Sequence, residues 1–393
     1  MTFHSRFLTG AATATLLVCL GGAAHAEVDG QAVVNGIIAQ FKNQGVTITV
    51  GSVEQDGANV LAKNVTVTPG ELNPAQIEAV LLENVIETDS GSWVIGRVAA
   101  PSFNQSKDGV TVDFGGAALN GYIVGGPEET DPVMKAGLYE SATIGPVKVS
   151  AGGVEMFSMS GGETKMSPYS KDGTMTFTMA LNDLKGNLAA IDDPKARPVI
   201  QALGYETITG RITGEGSWSL ADGNLSIDEI VYDVDDAAAL SISMDLDGYT
   251  LEMLQAIQEL QANAANQSDE QMGLAMLGLL QQLTLNSASI RIDDASLTGK
   301  VLDFIAAQQG TNRAQLVAQT KGVLPFLLAQ LNNPDFAAKV TAAAGQYLDE
   351  PSSIEISAEP ASPVPFSQIM AAGMTAPQTL PQVLGATITA NED

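Results

Sequence analysis

The stretch Thr174-Met175-Thr176-Phe177-Thr178-Met179 alternates strictly between hydroxyl-bearing and apolar side chains. Because successive side chains of a β-strand point to opposite faces of a sheet, this alternation predicts a strand with one wet face and one dry face. Similar alternation recurs at 241–244, 289–292 and 353–356. One polar and one apolar face are typical of antiparallel sheets. The sequence therefore predicts a fold built on an antiparallel sheet.

Asp-Gly dipeptides mark the turns between such strands. Asp-Gly favours the positive φ angles that tight hairpin turns require. Runs of alternating or β-branched residues flank several of these dipeptides, which favours a meander of hairpins. The six dipeptides begin at Asp29, Asp56, Asp108, Asp172, Asp222 and Asp247.

Helical patterns are fewer and gather toward the C-terminus. They are expected at 31–42, 194–203, 251–262, 270–283, 301–308, 312–331 with an interruption near Pro325, and 334–347. Asp193 and Asn333 are the expected N-caps of two of these helices, each followed by proline at the first helical position. The predicted fold class is α+β: a long, twisted antiparallel sheet, covered on one face by mostly C-terminal helices. An elongated body is favoured because short strands with tight turns keep extending one sheet.

The first 26 residues have the pattern of a secretory signal peptide. Arg6 supplies a charged start, residues 11–20 form a short apolar segment, and Ala24 and Ala26 flank the expected cleavage site. We therefore expect a periplasmic protein. The alternative is a lipoprotein anchored through Cys19, which is less favoured because the bulky Val18 precedes it.

After the signal peptide, the expected organisation is a β-rich meander lobe over 27–250 and a mixed lobe of helices and strands over 251–393. The second lobe is expected to pack on the same sheet. No apolar run after residue 26 reaches the length of about 18 residues that a membrane-spanning helix needs. A transmembrane segment is therefore not expected in the mature chain.

The composition is that of an acidic folded protein. The net charge is −27, while 45% of the residues are hydrophobic. A strongly negative chain repels the phosphate backbone, so nucleic acid is not an expected partner. The hydrophobic content is too high for a disordered acidic chain.

Most familiar catalytic chemistry is excluded by residue type. Residues 27–393 contain no histidine and no cysteine, because His4, Cys19 and His25 all lie in the expected signal peptide. Serine or cysteine triads with histidine, zinc sites and common haem or iron–sulfur sites therefore cannot be built. No nucleotide-binding loop is found either. We expect no catalytic residues, no metal ligands and no cofactor.

Two kinds of oxygen chemistry stay open. A pair of carboxylates could serve as acid and base in a secreted hydrolase, or oxygen ligands could hold calcium. Neither set has a defining spacing, and turn or capping roles are favoured for these residues. The adjacent acids are Asp192, Asp193, Asp233, Asp235, Asp236, Asp245, Asp247, Asp293 and Asp294.

Methionines are numerous at the apolar positions of the predicted strands and helices. Methionine adapts to irregular cores and also lines surfaces that bind lipid-like ligands. Of these two roles the core role is favoured. The residues are Met156, Met159, Met175, Met179, Met244, Met253, Met272 and Met276.

The last hundred residues carry a family resemblance. The segments 289–300, 347–351, 355–360, 363–366 and 384–391 resemble a family of uncharacterised exported proteins of alphaproteobacteria. The units of strand followed by helix are more distantly similar to YdgA-type and AsmA-like envelope proteins. The resemblance implies a β-rich protein of the cell envelope and brings no catalytic residues.

These observations together predict a non-enzymatic periplasmic envelope protein. It would bind an apolar, lipid-like ligand or a protein partner on the apolar face of its sheet. A secreted hydrolase using a carboxylate pair and a purely structural envelope protein are the alternatives.

Overall fold

The computed structural model describes residues 28–43, 45–70, 74–170, 173–262 and 267–392. Twenty strands join in one antiparallel sheet, as the alternating pattern predicts. The strands are β1 (Val46–Thr49), β2 (Ser52–Asp56), β3 (Asn59–Pro69), β4 (Ala75–Glu87), β5 (Trp93–Ala100), β6 (Phe103–Lys107), β7 (Val110–Phe114), β8 (Ala117–Val124), β9 (Ser141–Ile144), β10 (Val147–Ala151), β11 (Val154–Met159), β12 (Gly161–Met166), β13 (Thr174–Asn187), β14 (Thr207–Ser219), β15 (Asn224–Val234), β16 (Ala238–Asp247), β17 (Thr284–Asp294), β18 (Ser353–Ala358), β19 (Val364–Pro365) and β20 (Ala386–Ala390).

The sheet is an antiparallel meander in which most strands pair with strands that are near them along the chain. Between β5 and β12 each long strand is divided into two segments that are separated by one or two residues. The divided strands are β5 with β6, β7 with β8, β9 with β10 and β11 with β12. β5 pairs with β8 while β6 pairs with β7, and β9 pairs with β12 while β10 pairs with β11. Both halves of the last unit then pair with β13. Four long strands therefore share one line of bends.

Glycine and proline produce this line of bends because the neighbouring backbones almost touch there. A Cβ added to Gly115 would lie 2.6 Å from Cδ of Pro146, and one added to Gly145 would lie 2.7 Å from the carbonyl oxygen of Gly115. Real side chains do not fit at such distances. These two positions therefore require glycine for close approach.

The Asp-Gly dipeptides divide between two roles. Those at Asp56, Asp108 and Asp222 lie between paired strands, and the glycine of each has a positive φ angle. Asp29 instead caps the first helix, where its side chain accepts hydrogen bonds from the backbone N–H groups of Gln31 and Ala32. Asp247 ends β16 before a helix, and Asp172 lies outside the described residues. Three of the six dipeptides are thus hairpin turns.

Helices lie at both ends of the strands. They are α1 (Gly30–Asn43), α2 (Pro132–Ala136), α3 (Ala196–Leu203), α4 (Leu251–Ala262), α5 (Asp269–Leu280), α6 (Leu297–Gln308), α7 (Arg313–Leu328), α8 (Pro334–Asp349), α9 (Phe366–Thr375) and α10 (Leu380–Val383). Seven of the ten follow residue 250, in agreement with the predicted fold class.

Two predicted helix starts and one predicted interruption are wrong, and α5 ends at Leu280, three residues before its predicted end. α3 begins at Ala196, because Asp193 closes a turn, with its side chain accepting from the backbone N–H of Lys195. α6 begins four residues early, where the side chain of Asp294 accepts from the N–H of Thr298. α7 is not interrupted at Pro325 but continues to Leu328.

The helices pack on the apolar face of the sheet in separate clusters. α1 covers the first strands, where Val33 and Val34 pack with Val60, Leu82 and Ile95. α4, α5 and α9 cover the C-terminal end of β16 and the N-terminal end of β17. Their core contains Met253, Leu279, Leu246 and Leu285. α6, α7 and α8 form a cluster of their own around Leu302, Ala306, Leu316 and Val317. These clusters leave the middle of the face uncovered.

The sequence predicts two boundaries in the chain, one after residue 26 and one after residue 250. The proposed signal peptide, with Ala24 and Ala26, lies outside the described residues. The boundary at residue 250 falls between β16 and α4, and β16 pairs with β17 along ten residues across it. The sheet is therefore continuous through both predicted lobes.

Candidate functional site

One row of apolar side chains crosses eleven strands in exact register. Directly opposed residues of an antiparallel pair share one face of the sheet, so the row can be followed from pair to pair. The row runs Val98–Leu119–Ala142–Thr164–Met179–Gly214–Ile230–Ile242–Ile290–Ile356–Ile388.

A second row lies beside the first on the same face, two residues along each strand. It runs Ala100–Ala117–Ile144–Gly162–Leu181–Ile212–Tyr232–Leu240–Ile292–Ile354–Ala390. We call the two rows together the apolar stripe. Thr164 and Tyr232 are its two polar residues, and Tyr232 is its one titratable side chain.

A third row lies between these two rows. Its side chains point to the opposite face of the sheet, and most of them are polar. It contains Thr143, Glu163, Thr213, Ser241, Arg291, Glu355 and Thr389 in mutual register, with alanine or valine between them. Arg291 lies 2.8 Å from Asp293 and 3.6 Å from Glu355. The hydrogen bond to Asp293 raises the pKa of Arg291. The sheet is therefore polar on its back and apolar along the stripe.

Part of the stripe is exposed although it lies on the core face. Ile290 exposes 48% of its surface, Ile356 45%, Tyr232 43% and Ile292 37%. On the same face, closer to α4, α5 and α9, Leu246 and Leu285 are buried. The helices thus leave this part of the stripe uncovered, while Ala390 at its end is buried. What remains open to solvent is an apolar surface around the three isoleucines and Tyr232.

A cavity of about 300 Å³ marks the first part of the stripe. Its floor is formed by small side chains, among them Ala100, Ala117, Ala142 and Gly162, with Val98, Leu119, Ile144 and Leu181 around them. A second cavity of about 610 Å³ lies at the line of bends and shares Ala100, Ala117 and Ile144 with the first. Leu61, Leu81 and Arg97 line it from the opposite face of the sheet. Small side chains therefore deepen the stripe where the strands bend.

The stripe is long compared with a single ligand. Eleven strands at a spacing of about 4.8 Å give it a length of about 48 Å. Its two rows lie about 7 Å apart along the strands, which is the width of a single file of aliphatic groups.

The structure scatters the carboxylates singled out in the sequence and gives them structural partners. Asp192 pairs with Arg197, Asp233 with Arg211 and Asp293 with Arg291. Asp235 accepts a hydrogen bond from Thr209, and Asp236 occupies a turn with a φ of 57°. Asp193 and Asp294 accept from the backbone at the starts of α3 and α6. These carboxylates do not line either cavity on the stripe.

Asp245 and Asp247 are held by amides. Asn224 donates to both carboxylates at 2.7 and 3.0 Å, and Asn286 donates to Asp245 at 2.9 Å. Within the described part of the chain, no group of three or more acidic, histidine or cysteine side chains is placed to hold a metal ion. No observation favours a calcium site at this position.

The methionines singled out in the sequence lie in different surroundings. Met175 and Met253 are buried at 3% and 4% exposure, and Met244 packs against the core around Met253. Met179 belongs to the stripe, where it lies opposite Thr164 and Gly214. Met276 lies exposed on α5.

The sequence pattern does not indicate the small residues that form the floor of the first cavity. Ala100, Ala117, Ala142 and Gly162 occupy alternate positions near strand ends, but alanine and glycine give little hydrophobic contrast. The signal that could have found them is their spacing of two residues from Val98, Leu119, Ile144 and Thr164. Their functional meaning depends on register, which the sequence does not show.

Comparison with known proteins finds a partial match to a family without an assigned role. A family model described as an uncharacterized protein matches residues 231–391, which include the exposed isoleucines of the stripe and all helices from α4 onward. No curated protein matches the chain in sequence. Among the described residues, every helix is too short or too polar to cross a membrane.

Proposed function

We propose that the protein binds an elongated apolar ligand, the acyl chain of a lipid, along the apolar stripe. The observation that carries the proposal is the register of two mostly apolar rows across eleven strands, with Ile290, Ile356 and Ile292 left exposed. Apolar surface in water is unfavourable by about 25 cal/mol per Å². A contiguous exposed patch of this kind is typical of a binding surface.

The chemistry of the stripe favours an aliphatic ligand. Branched aliphatic side chains line it, Tyr232 is its one aromatic residue, and polar groups are confined to Thr164 and Tyr232. A polar ligand needs several convergent polar groups for orientation. An acyl chain needs only a dry surface of the right width. A carboxylate hydrolase would need two acids facing one cavity, whereas Glu163 is the single acid among the described residues that line these two cavities.

Substitution of Ile290 tests the proposal against a matched control. Ile290→Asn places an amide in the exposed middle of the stripe, whereas Ile86→Asn makes the same change at an isoleucine that is 57% exposed and lies outside the stripe. We expect Ile290→Asn to weaken binding of a fluorescent fatty acid about tenfold, because the amide must be desolvated by the ligand. Ile86→Asn should leave binding unchanged. Displacement titrations with both purified variants measure the difference.

The stability of the variants separates binding from folding. Both isoleucines are exposed, so the two variants should melt within a few degrees of the unsubstituted protein. Equal binding by all three proteins would contradict the proposal. So would native mass spectrometry that finds a peptide, rather than lipid, retained on the stripe of the purified chain.

The proposal extends to the cell envelope. The support is the sequence pattern of residues 1–26, in which a charged start and a short apolar segment precede Ala24 and Ala26, as in a secretory signal peptide. The intact mass of the chain produced in an exporting bacterial host should correspond to a start at Glu27. A full-length mass, or a mass that includes a lipid on Cys19, would contradict this part of the proposal.

A further inference from the structure

The second half of α7 carries a group of exposed apolar side chains that is separate from the apolar stripe of the sheet. Phe326 exposes 77% of its surface, Leu327 58%, Val323 46% and, just past the helix, Leu331 44%. Within α7, Val323, Phe326 and Leu327 are three and four residues apart, which places these three on one side of the helix. We call these four residues the α7 patch.

The first half of α7 packs against other helices, so the patch has a fixed position on the protein surface. Leu316 and Val317 are buried against α6 and α8. Asn333, directly after the patch, donates to the carbonyl oxygen of Gln378 at 2.9 Å and caps α8. α8 in turn packs on β20 and β18, where the apolar stripe of the sheet ends. The patch therefore lies beyond one end of the stripe.

The α7 patch lies in an uncharged segment of a strongly acidic chain. Residues 322–334 contain no charged side chain, although the net charge of the protein is −27. The nearest preceding charge, Lys321, is paired with Asp349 at 2.6 Å. Anionic headgroups would be repelled by the chain as a whole, but a neutral bilayer surface can be approached at this patch.

We propose that the α7 patch docks the protein on the surface of a neutral lipid bilayer, with Phe326 and Leu327 inserted at the boundary between headgroups and acyl chains. A helix side with exposed phenylalanine and leucine is suited to this depth. A second copy of the chain fits the patch less well. Four partly exposed side chains offer on the order of 400 Å², whereas a stable protein interface buries about 800 Å² per partner. Docking does not depend on lipid binding along the stripe.

Vesicle flotation tests the docking. The full chain is mixed with phosphatidylcholine vesicles, and the double variant Phe326→Asp/Leu327→Asp is compared with Leu274→Asp, an equally exposed leucine on α5. We expect the unsubstituted chain and Leu274→Asp to float with the vesicles at low and high salt alike, because apolar insertion is not screened. The double variant should float at least fivefold less. A Phe326→Trp variant should show quenched emission with brominated phosphatidylcholine.

The other outcomes are decisive. Failure of the unsubstituted chain to float, an equal loss in Leu274→Asp, or unquenched emission of Phe326→Trp would overturn the proposal. A dimer in light scattering that the double variant abolishes would assign the patch to a second copy instead. Fatty-acid binding by the double variant should be unchanged, so failure of docking is distinguishable from failure of the stripe.

Discussion

At the scale of single residues, Glu129 fixes the connection between β8 and α2. Its carboxylate accepts from the backbone N–H groups of Thr130 and Asp131, both at 2.9 Å, and from the hydroxyl of the buried Ser92 at 2.8 Å. The hydrogen bond from the backbone of Asp131 is the main cause that lowers the pKa of Glu129, with the hydroxyl of Ser92 contributing. The charged form is thus the one that the folded state prefers.

A lowered pKa makes this contribution dependent on pH. It is fully present above the unfolded value of about 4.5 and is lost as the pH falls through the lower folded value. Glu129→Gln should therefore reduce the free energy of unfolding by about 1 kcal/mol at neutral pH, since the side chain is partly exposed. Below pH 4 the difference should shrink. Urea unfolding at pH 7 and pH 3.5 measures it.

The neighbouring Glu128 provides the control, because it is exposed and lies next to Glu129 in the chain. Glu128→Gln should unfold like the unsubstituted protein at both pH values. A constant difference between Glu129→Gln and the unsubstituted protein across this range would show that the carboxylate charge is not what stabilises the turn.

At the scale of elements, local signals predict what depends on local chemistry. Asn333 and Pro334 mark the start of α8, and the side chain of Asn333 accepts from the N–H of Phe336 at 3.0 Å, as a cap should. The strand at Thr174 and the hairpin turn at Asp108 are confirmed for the same reason. In each case the residues that decide the structure lie within four positions of one another.

Distant contacts explain the early start of α6 and the continuation of α7 through Pro325. α6 begins early because the carbonyl oxygen of Ala237, about sixty residues away in sequence, accepts from the N–H groups of Ala295, Ser296 and Leu297 and so fixes the turn before the helix. α7 continues through Pro325, since a proline removes one backbone donor and the first half of the helix is held by tertiary packing. These interactions leave no mark in the local pattern.

At the scale of the molecule, the apolar stripe illustrates the limit of sequence reasoning. The alternation at Thr174 and Ser289 predicts that each strand has a dry face. It does not predict that Met179, Ile230 and Ile290 share one row, because a shift of one residue in any pairing would break it. Nor does it show where the helices stop. The candidate site therefore emerges from the register of the whole meander.

The length of the stripe leads to a prediction about capacity. A membrane hydrocarbon core is about 30 Å thick, so one acyl chain reaches about 15 Å, and a stripe of about 48 Å has room for more than one chain in line. Ala142→Phe would fill the cavity near the bends with a ring, while the isoleucine part from Ile230 to Ile388 stays open. We expect native mass spectrometry to show fewer acyl chains per protein, but not zero. Ala180→Phe, on the opposite face of β13, should keep the full number. Complete loss of binding in Ala142→Phe would instead place a single ligand at the cavity, and the rest of the stripe would then act only as its approach.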